Sequence, residues 1–234
     1  MSVITLFRKK VNLFMNLKKL NIRFGSAVSA TIVFLFIIIA VFASCKRRPA
    51  WQADISDIQI PPVEIKRYEK VLFGIDPANL RAEIDPYIEE FRLFLGYELD
   101  NPMVQQQLLA YITDPFILEL YSDVAQAWPE LGELENQLTT AFHYYVYHFP
   151  ENDVPVVYSY ISGVDYHLPV KYHENNLIVG LDMFMGIDYP NYDRVGMPVF
   201  IRQRFIRENA PKETMLVLAH NKLKIGRASC RERV

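Results

Sequence analysis

An uncharged run of 18 residues, Ala27 to Ser44 (AVSATIVFLFIIIAVFAS), sets the strongest constraint on this chain. As a helix rising 1.5 Å per residue it reaches roughly 27 Å, close to the roughly 30 Å hydrocarbon core of a bilayer. Such a run either spans a membrane or is threaded into one and cut. Lys18, Lys19 and Arg23 precede it as a positive n-region. Basic residues on the N-terminal side (Arg8, Lys9, Lys10, Lys18, Lys19, Arg23) outnumber Lys46, Arg47 and Arg48 beyond it. The positive side stays inside, so the body of the protein is expected to face away from the cytoplasm.

Cys45 follows the run at once, after Phe42, Ala43 and Ser44. Small residues just before a cysteine resemble the lipobox of a bacterial lipoprotein signal peptide. The resemblance implies cleavage before Cys45 and acylation of its thiol, by palmitate among other chains. Several acyl chains, at about 0.8 kcal/mol per buried CH₂, make a lasting anchor where a single chain is marginal. The alternative is an uncleaved single-span anchor. Lys46, instead of aspartate, after the cysteine resembles outer-membrane sorting, but the choice between inner and outer membrane stays open.

Residues 1–44 thus read as a signal peptide, with residues 1–14 an upstream extension, because Met15 opens a more usual start. Residues 45–62 read as a linker, stiffened at its end by Pro61 and Pro62. Residues 63–223 form one domain, large enough to bury a core. Residues 224–234 (KIGRASCRERV) are similar to a translated sequencing adapter; the alternative is a genuine basic tail. On the adapter reading the natural C-terminal part is missing. A net charge of −2 gives no argument for a nucleic-acid partner. With Cys45 lipidated and Cys230 in the tail, the domain has no cysteine left for an internal disulfide and must hold by its core.

The spacing predicts an α+β fold, an N-terminal helical layer followed by a small, mostly antiparallel sheet and further helices. Val63 to Tyr68 alternates apolar and polar as a half-buried strand. Three cap-and-proline pairs (Asp76-Pro77, Asn101-Pro102, Asp114-Pro115) open helices expected to end near Leu95, Ile112 and Ala127, the first either continuous or re-started at Asp85-Pro86. A fourth runs from about Pro129 to His148 with its stripe at Leu134, Leu138, Phe142 and Tyr145. Then the period changes. Val154 to Ile161, Tyr166 to Tyr172 and Leu177 to Phe184 read as strands in two successive hairpins, with Pro169 placing the second at an edge. Helices are expected over 198–207 and from Pro211 to Lys222.

Chemistry is sparse. The sequence has neither a phosphate loop nor a nucleophile elbow. His143 and His148 lie about 140° apart around a helix and do not face one ion. His167 and His173 make a pair without a third ligand. His220 lacks the glutamate and second histidine of a zinc-peptidase helix, since Asn221 stands in the glutamate position. No catalytic residue, cofactor or metal site is therefore assigned. Asp182, within a very apolar strand, is expected to pair with Arg202 or Arg204; the alternative is an active-site acid. Asp188, Tyr189, Tyr192 and Asp193 form an aromatic, acidic loop with two readings: a packed loop, or a contact surface for a protein, a peptide or a glycan.

Several segments carry a family resemblance. These are the lipobox at Cys45, Val63–Phe73 (VEIKRYEKVLF), Val157–Gly163 (VYSYISG), Ile178–Gly186 (IVGLDMFMG) and Tyr189-Pro190. Together they resemble the gliding-motility lipoprotein family GldB of Bacteroidetes, over about residues 45–222. The resemblance implies a non-enzymatic cell-envelope lipoprotein. It would be membrane-anchored, face the periplasm and bind other gliding motility proteins. It also implies an architecture distantly similar to zinc peptidases. The alternative function is a membrane-tethered zinc-dependent hydrolase or peptidase whose metal ligands lie in the missing C-terminal part.

Overall fold

The computed structural model describes residues 54–96 and 99–223. The apolar run, Cys45 and the adapter-like tail lie outside the described residues. Among the described residues no helix is long and apolar enough to cross a membrane. The domain begins with β1 (Ile65–Arg67), which passes at once into α1 (Tyr68–Leu72). The alternating pattern stops at Arg67 because the backbone there leaves the extended region, at φ −84° and ψ 78°.

The expected long helix over 76–95 is broken into α2 (Leu80–Ile84), α3 (Arg92–Leu95) and two 3₁₀ turns at Pro77–Asn79 and Asp85–Tyr87. Pro86 has no N–H to continue the ladder, and its ring crowds the preceding turn. Gly96 closes α3 at φ +63°, a conformation with little cost only for glycine. α4 (Pro102–Thr113) and α5 (Pro115–Ala127) begin as the cap-and-proline pairs predict. The Asn101 side chain accepts from the Met103 N–H, and Asp114 accepts from those of Phe116 and Ile117. α6 (Gly132–His148) buries the predicted stripe of Leu134, Leu138, Phe142 and Tyr145.

β2 (Val156–Tyr160), β3 (Val170–His173) and β4 (Asn176–Gly180) complete a four-stranded sheet in the order β1-β2-β4-β3. The α+β class holds, but the strand directions correct the expectation of a mostly antiparallel sheet. β1 and β2 are parallel, β2 and β4 are parallel, and only β3 and β4 are antiparallel. Only one of the two expected hairpins exists, because β3 passes to the far edge and β4 returns between it and β2. Pro169 precedes that edge strand, as its missing N–H requires. β4 stops at Gly180, short of the expected Phe184, and Leu181–Met183 turn as 3₁₀.

α7 (Pro190–Arg194), α8 (Val199–Arg202) and α9 (Ala210–Leu223) follow. The expected helix over 198–207 ends after one turn because Phe205 must reach the core, where it meets Phe184 and Tyr192 edge-on. Both sheet faces are covered. On one side Val157, Leu177 and Val179 pack with α5, α6 and α9. On the other, Tyr158 and Tyr160 meet Tyr68, Phe91 and Phe94. Alternate residues of β2 thus serve two separate cores, as a period of two demands.

Candidate functional site

The C-terminal ends of the parallel neighbours β2 and β4 meet at Asp182, which is fully buried. Beyond β2 the chain turns through Gly163 (φ +75°) and Val164 (φ +61°). Two consecutive left-handed residues aim backbone N–H groups into one concavity that favours an anion. Here the anion is internal. Asp182 Oδ1 accepts from the Ser162 N–H at 2.8 Å, and Oδ2 accepts from the Val164 N–H at 2.7 Å and the Ser162 hydroxyl at 2.9 Å. Ser162 Oγ in turn accepts from the Asp165 N–H. A left-handed valine is a strained residue, at roughly 1–3 kcal/mol. The hydrogen bond to Asp182 and the burial of its side chain hold it there.

Burial pushes the Asp182 carboxyl above the ordinary carboxylate range, against the opposing pull of the Ser162 and Val164 donors. The expected partners are corrected by these contacts. Arg202 turns inward to the Met197 carbonyl and to Asp193, and Arg204 pairs with Glu213. Gly180 allows the close approach, since a Cβ there would stand 3.0 Å from Ser162 Cβ and 3.3 Å from Asp182 Oδ1. We therefore expect G180A to lower stability by about 1–3 kcal/mol through overpacking, measured by urea unfolding. A midpoint equal to wild type would contradict this packing.

The aromatic loop lies directly downstream, and it is built inward. Tyr192 is fully buried, donates to the Met183 carbonyl and accepts from the Met185 N–H. Tyr189 is nearly buried, and its hydroxyl donates to Asp123 on α5 at 2.7 Å. Burial holds both phenols above their ordinary range. Asn191 donates to Glu119 and Asp123, and Arg194 reaches both carboxylate oxygens of Glu119. Hydrogen bonds from Arg194, then Asn191, hold Glu119 below the usual carboxylate range. Of the four expected contact residues, Asp188 and Asp193 reach solvent and the two tyrosine rings do not. Asp193 is bound to Arg202 at 2.5 Å. An open groove beside the loop is lined by Glu119, Asp123, Gln126, Met185, Tyr189 and Asn191. Glu119 and Asp123 are hydrogen-bonded there, and the groove presents shape and charge.

The histidines stay apart. His143 Nδ1 meets the Thr139 carbonyl and His220 Nδ1 that of Leu216, each within its own helix. His167 stacks on Tyr166, and His173 lies 3.8 Å from Glu174. Among the described residues no group of three or more His, Cys, Asp or Glu side chains is placed to hold a metal ion.

Two constellations carry no obvious mark in the sequence. One is the Glu119–Asp123 pair, four apart on α5, which clamps the loop. The other is Glu69, whose side chain is wholly buried. It accepts from Arg67 Nε at 2.6 Å and from the Ser159 hydroxyl at 2.8 Å. The only sequence signal for the second is a serine inside the apolar run VVYSYI of β2.

Compared with known families, residues 48–229 match the model described as gliding motility protein GldB. No curated protein and no solved structure matches, and the expected distant likeness to zinc peptidases is not confirmed.

Proposed function

The chain belongs to the gliding motility protein GldB family, and on that premise we propose that it is a non-catalytic, membrane-tethered contact protein of the gliding machinery. The family match carries this reading. The tether is a lipid anchor on Cys45, and the domain faces the periplasm, where it binds other motility proteins of the envelope. Mass spectrometry of the purified N-terminus tests the anchor. The expected species begins at an acylated Cys45, and an intact peptide continuing through Cys45 sinks it.

The contact surface in this proposal is the outer rim of the aromatic loop. Tyr189, Asn191 and Arg194 fasten the loop to α5, and Tyr192 and Arg202 fasten it to the chain on either side. Fixing a loop before association reduces the ordering that binding must impose. Ile187 and Asp188 stand exposed at its tip. Alanine at Tyr189 or Tyr192 would report on folding, because those rings are internal. I187S/D188A removes surface chemistry alone. We expect it to abolish or sharply reduce cell spreading with an unchanged melting temperature. Normal spreading by that variant would remove the loop tip from the contact surface.

A further inference from the structure

We propose that a small pocket at the junction of α5, α6 and α9 binds the head group of a free α-amino acid, its carboxylate toward Trp128 and Arg207 and its ammonium toward Glu133 and Glu208.

Three elements build the pocket. Trp128 ends α5, and Glu133, Leu134 and Gln137 come from the first turns of α6. Arg207 and Glu208 come from a 3₁₀ turn (Arg207–Asn209) that leads into α9. Its volume is about 40 Å³, which is room for about three water molecules at roughly 10–15 Å³ each. Trp128 and Leu134 are its buried, apolar wall, and the charged side chains stand at the surface.

Two features mark this space as a binding site. The first is a donor without an acceptor. Trp128 is only 2% exposed, yet its indole N–H has no hydrogen-bond partner. Buried donors in folded proteins are almost always matched. The second is charge left unpaired. The Arg207 guanidinium lies over the Trp128 ring, 4.0 Å from its centre. Stacking on a ring face leaves its N–H donors available. Two glutamates line the same pocket, but neither forms an ion pair with it among the described residues. Glu133 accepts from Gln137 Nε2 at 3.3 Å, and Glu208 has no ion pair. Cation and anions share one small space without meeting.

The chemistry of that space selects the ligand. An indole N–H and a guanidinium only donate, and two carboxylates only accept. A simple anion suits the first pair and is repelled by the second, and a simple ammonium ion does the reverse. A neutral amide meets both, but hydrogen bonds with a charged partner at each end are the stronger kind. The zwitterion of an α-amino acid carries a carboxylate and an ammonium on one carbon, within the size of the pocket. No room remains for a side chain, which runs to solvent. The site therefore reads the head group and discriminates little among side chains.

The test uses the ¹⁵N-labelled full-length chain in detergent micelles, carrying W51F so that Trp128 supplies the single indole N–H signal. The probes are glycine, acetate and methylammonium. We expect glycine to shift that signal saturably, with acetate and methylammonium at least tenfold weaker. R207Q and E208Q are each expected to weaken glycine at least fivefold at an unchanged melting temperature. Absence of a saturable shift with glycine overturns the proposal and leaves the pocket to ordered water. Acetate binding as well as glycine overturns it in favour of a plain carboxylate site. Glycine affinity unchanged in both R207Q and E208Q overturns it by placing the binding elsewhere.

Discussion

Asp182→Asn is expected to destabilise the domain by about 3 kcal/mol at neutral pH, although it changes the side chain by a single group. The reason lies in which atoms face the carboxylate. Each of its two oxygens receives a backbone N–H, from Ser162 on one side and Val164 on the other. An amide has only one acceptor oxygen. Whichever way it is turned, its NH₂ confronts a buried N–H that has no other partner, so one bond is lost and two donors oppose each other. The left-handed turn at Gly163 and Val164 loses its reason to form. Burial raises the carboxyl's pKa in the folded protein. Its stabilising contribution is therefore complete below the ordinary carboxylate value of about 3.9 and declines as pH rises through the raised folded-state value. The advantage of wild type over D182N is thus expected to be larger at pH 4 than at pH 8. Denaturant unfolding of both proteins at the two pH values checks both points. A D182N protein as stable as wild type at pH 8 would dismiss the internal-anion account.

Removal of the Arg67 guanidinium should cost about as much or more. Glu69 is sealed from solvent and is held by Arg67 and by the Ser159 hydroxyl. In R67M the carboxylate remains buried with one hydroxyl donor. Breaking a buried pair from one side typically costs about 3–5 kcal/mol, whereas replacing both partners by apolar groups of similar volume is often neutral. The expectation for R67M is therefore a loss of about 3–5 kcal/mol, with R67M/E69M recovering much of it. A double-mutant cycle by urea unfolding reads the coupling. Additive effects in that cycle would show that the pair does not act as a unit.

Legibility followed the range of the interaction. Asn101-Pro102 and Asp114-Pro115 announce their helices because cap, proline and first turn sit within three or four residues, and the structure starts α4 and α5 there. The stripe of α6 was equally readable, since its period lies within one element. Strand directions were not. VVYSY and NLIVG look alike locally, and nothing in either states that β4 returns beside β2 in parallel. Asp182 drew attention as a carboxylate in an apolar run, but its true donors are backbone N–H groups, which leave no mark in a sequence. Arginines nearby in the chain were the visible candidates and took other partners. The loop tyrosines left packing and display both open, because aromatics beside acids suit recognition as well as a core. Their rings fill the core, and their hydroxyls find Asp123 and the Met183 carbonyl. Glu69 shares the parity of the inward-facing Val63 and Ile65, but a glutamate between Tyr68 and Lys70 carries no sign of a buried carboxylate.

The placement of β4 has a consequence for how the chain acquires its shape. Ile65 of β1 stands opposite Val157 of β2, and the strand that completes the middle of the sheet ends only at Gly180. Contacts this distant along the polypeptide slow the search for the native arrangement, because loop closure is entropically unfavourable before pairing rewards it. A chain growing from its N-terminus would hold its first strand without a neighbour until some ninety further residues had followed. During that interval an unpaired edge and the greasy residues around it lie open to aggregation. The topology therefore makes assembly of the sheet a late step, complete only once β4 has joined β2.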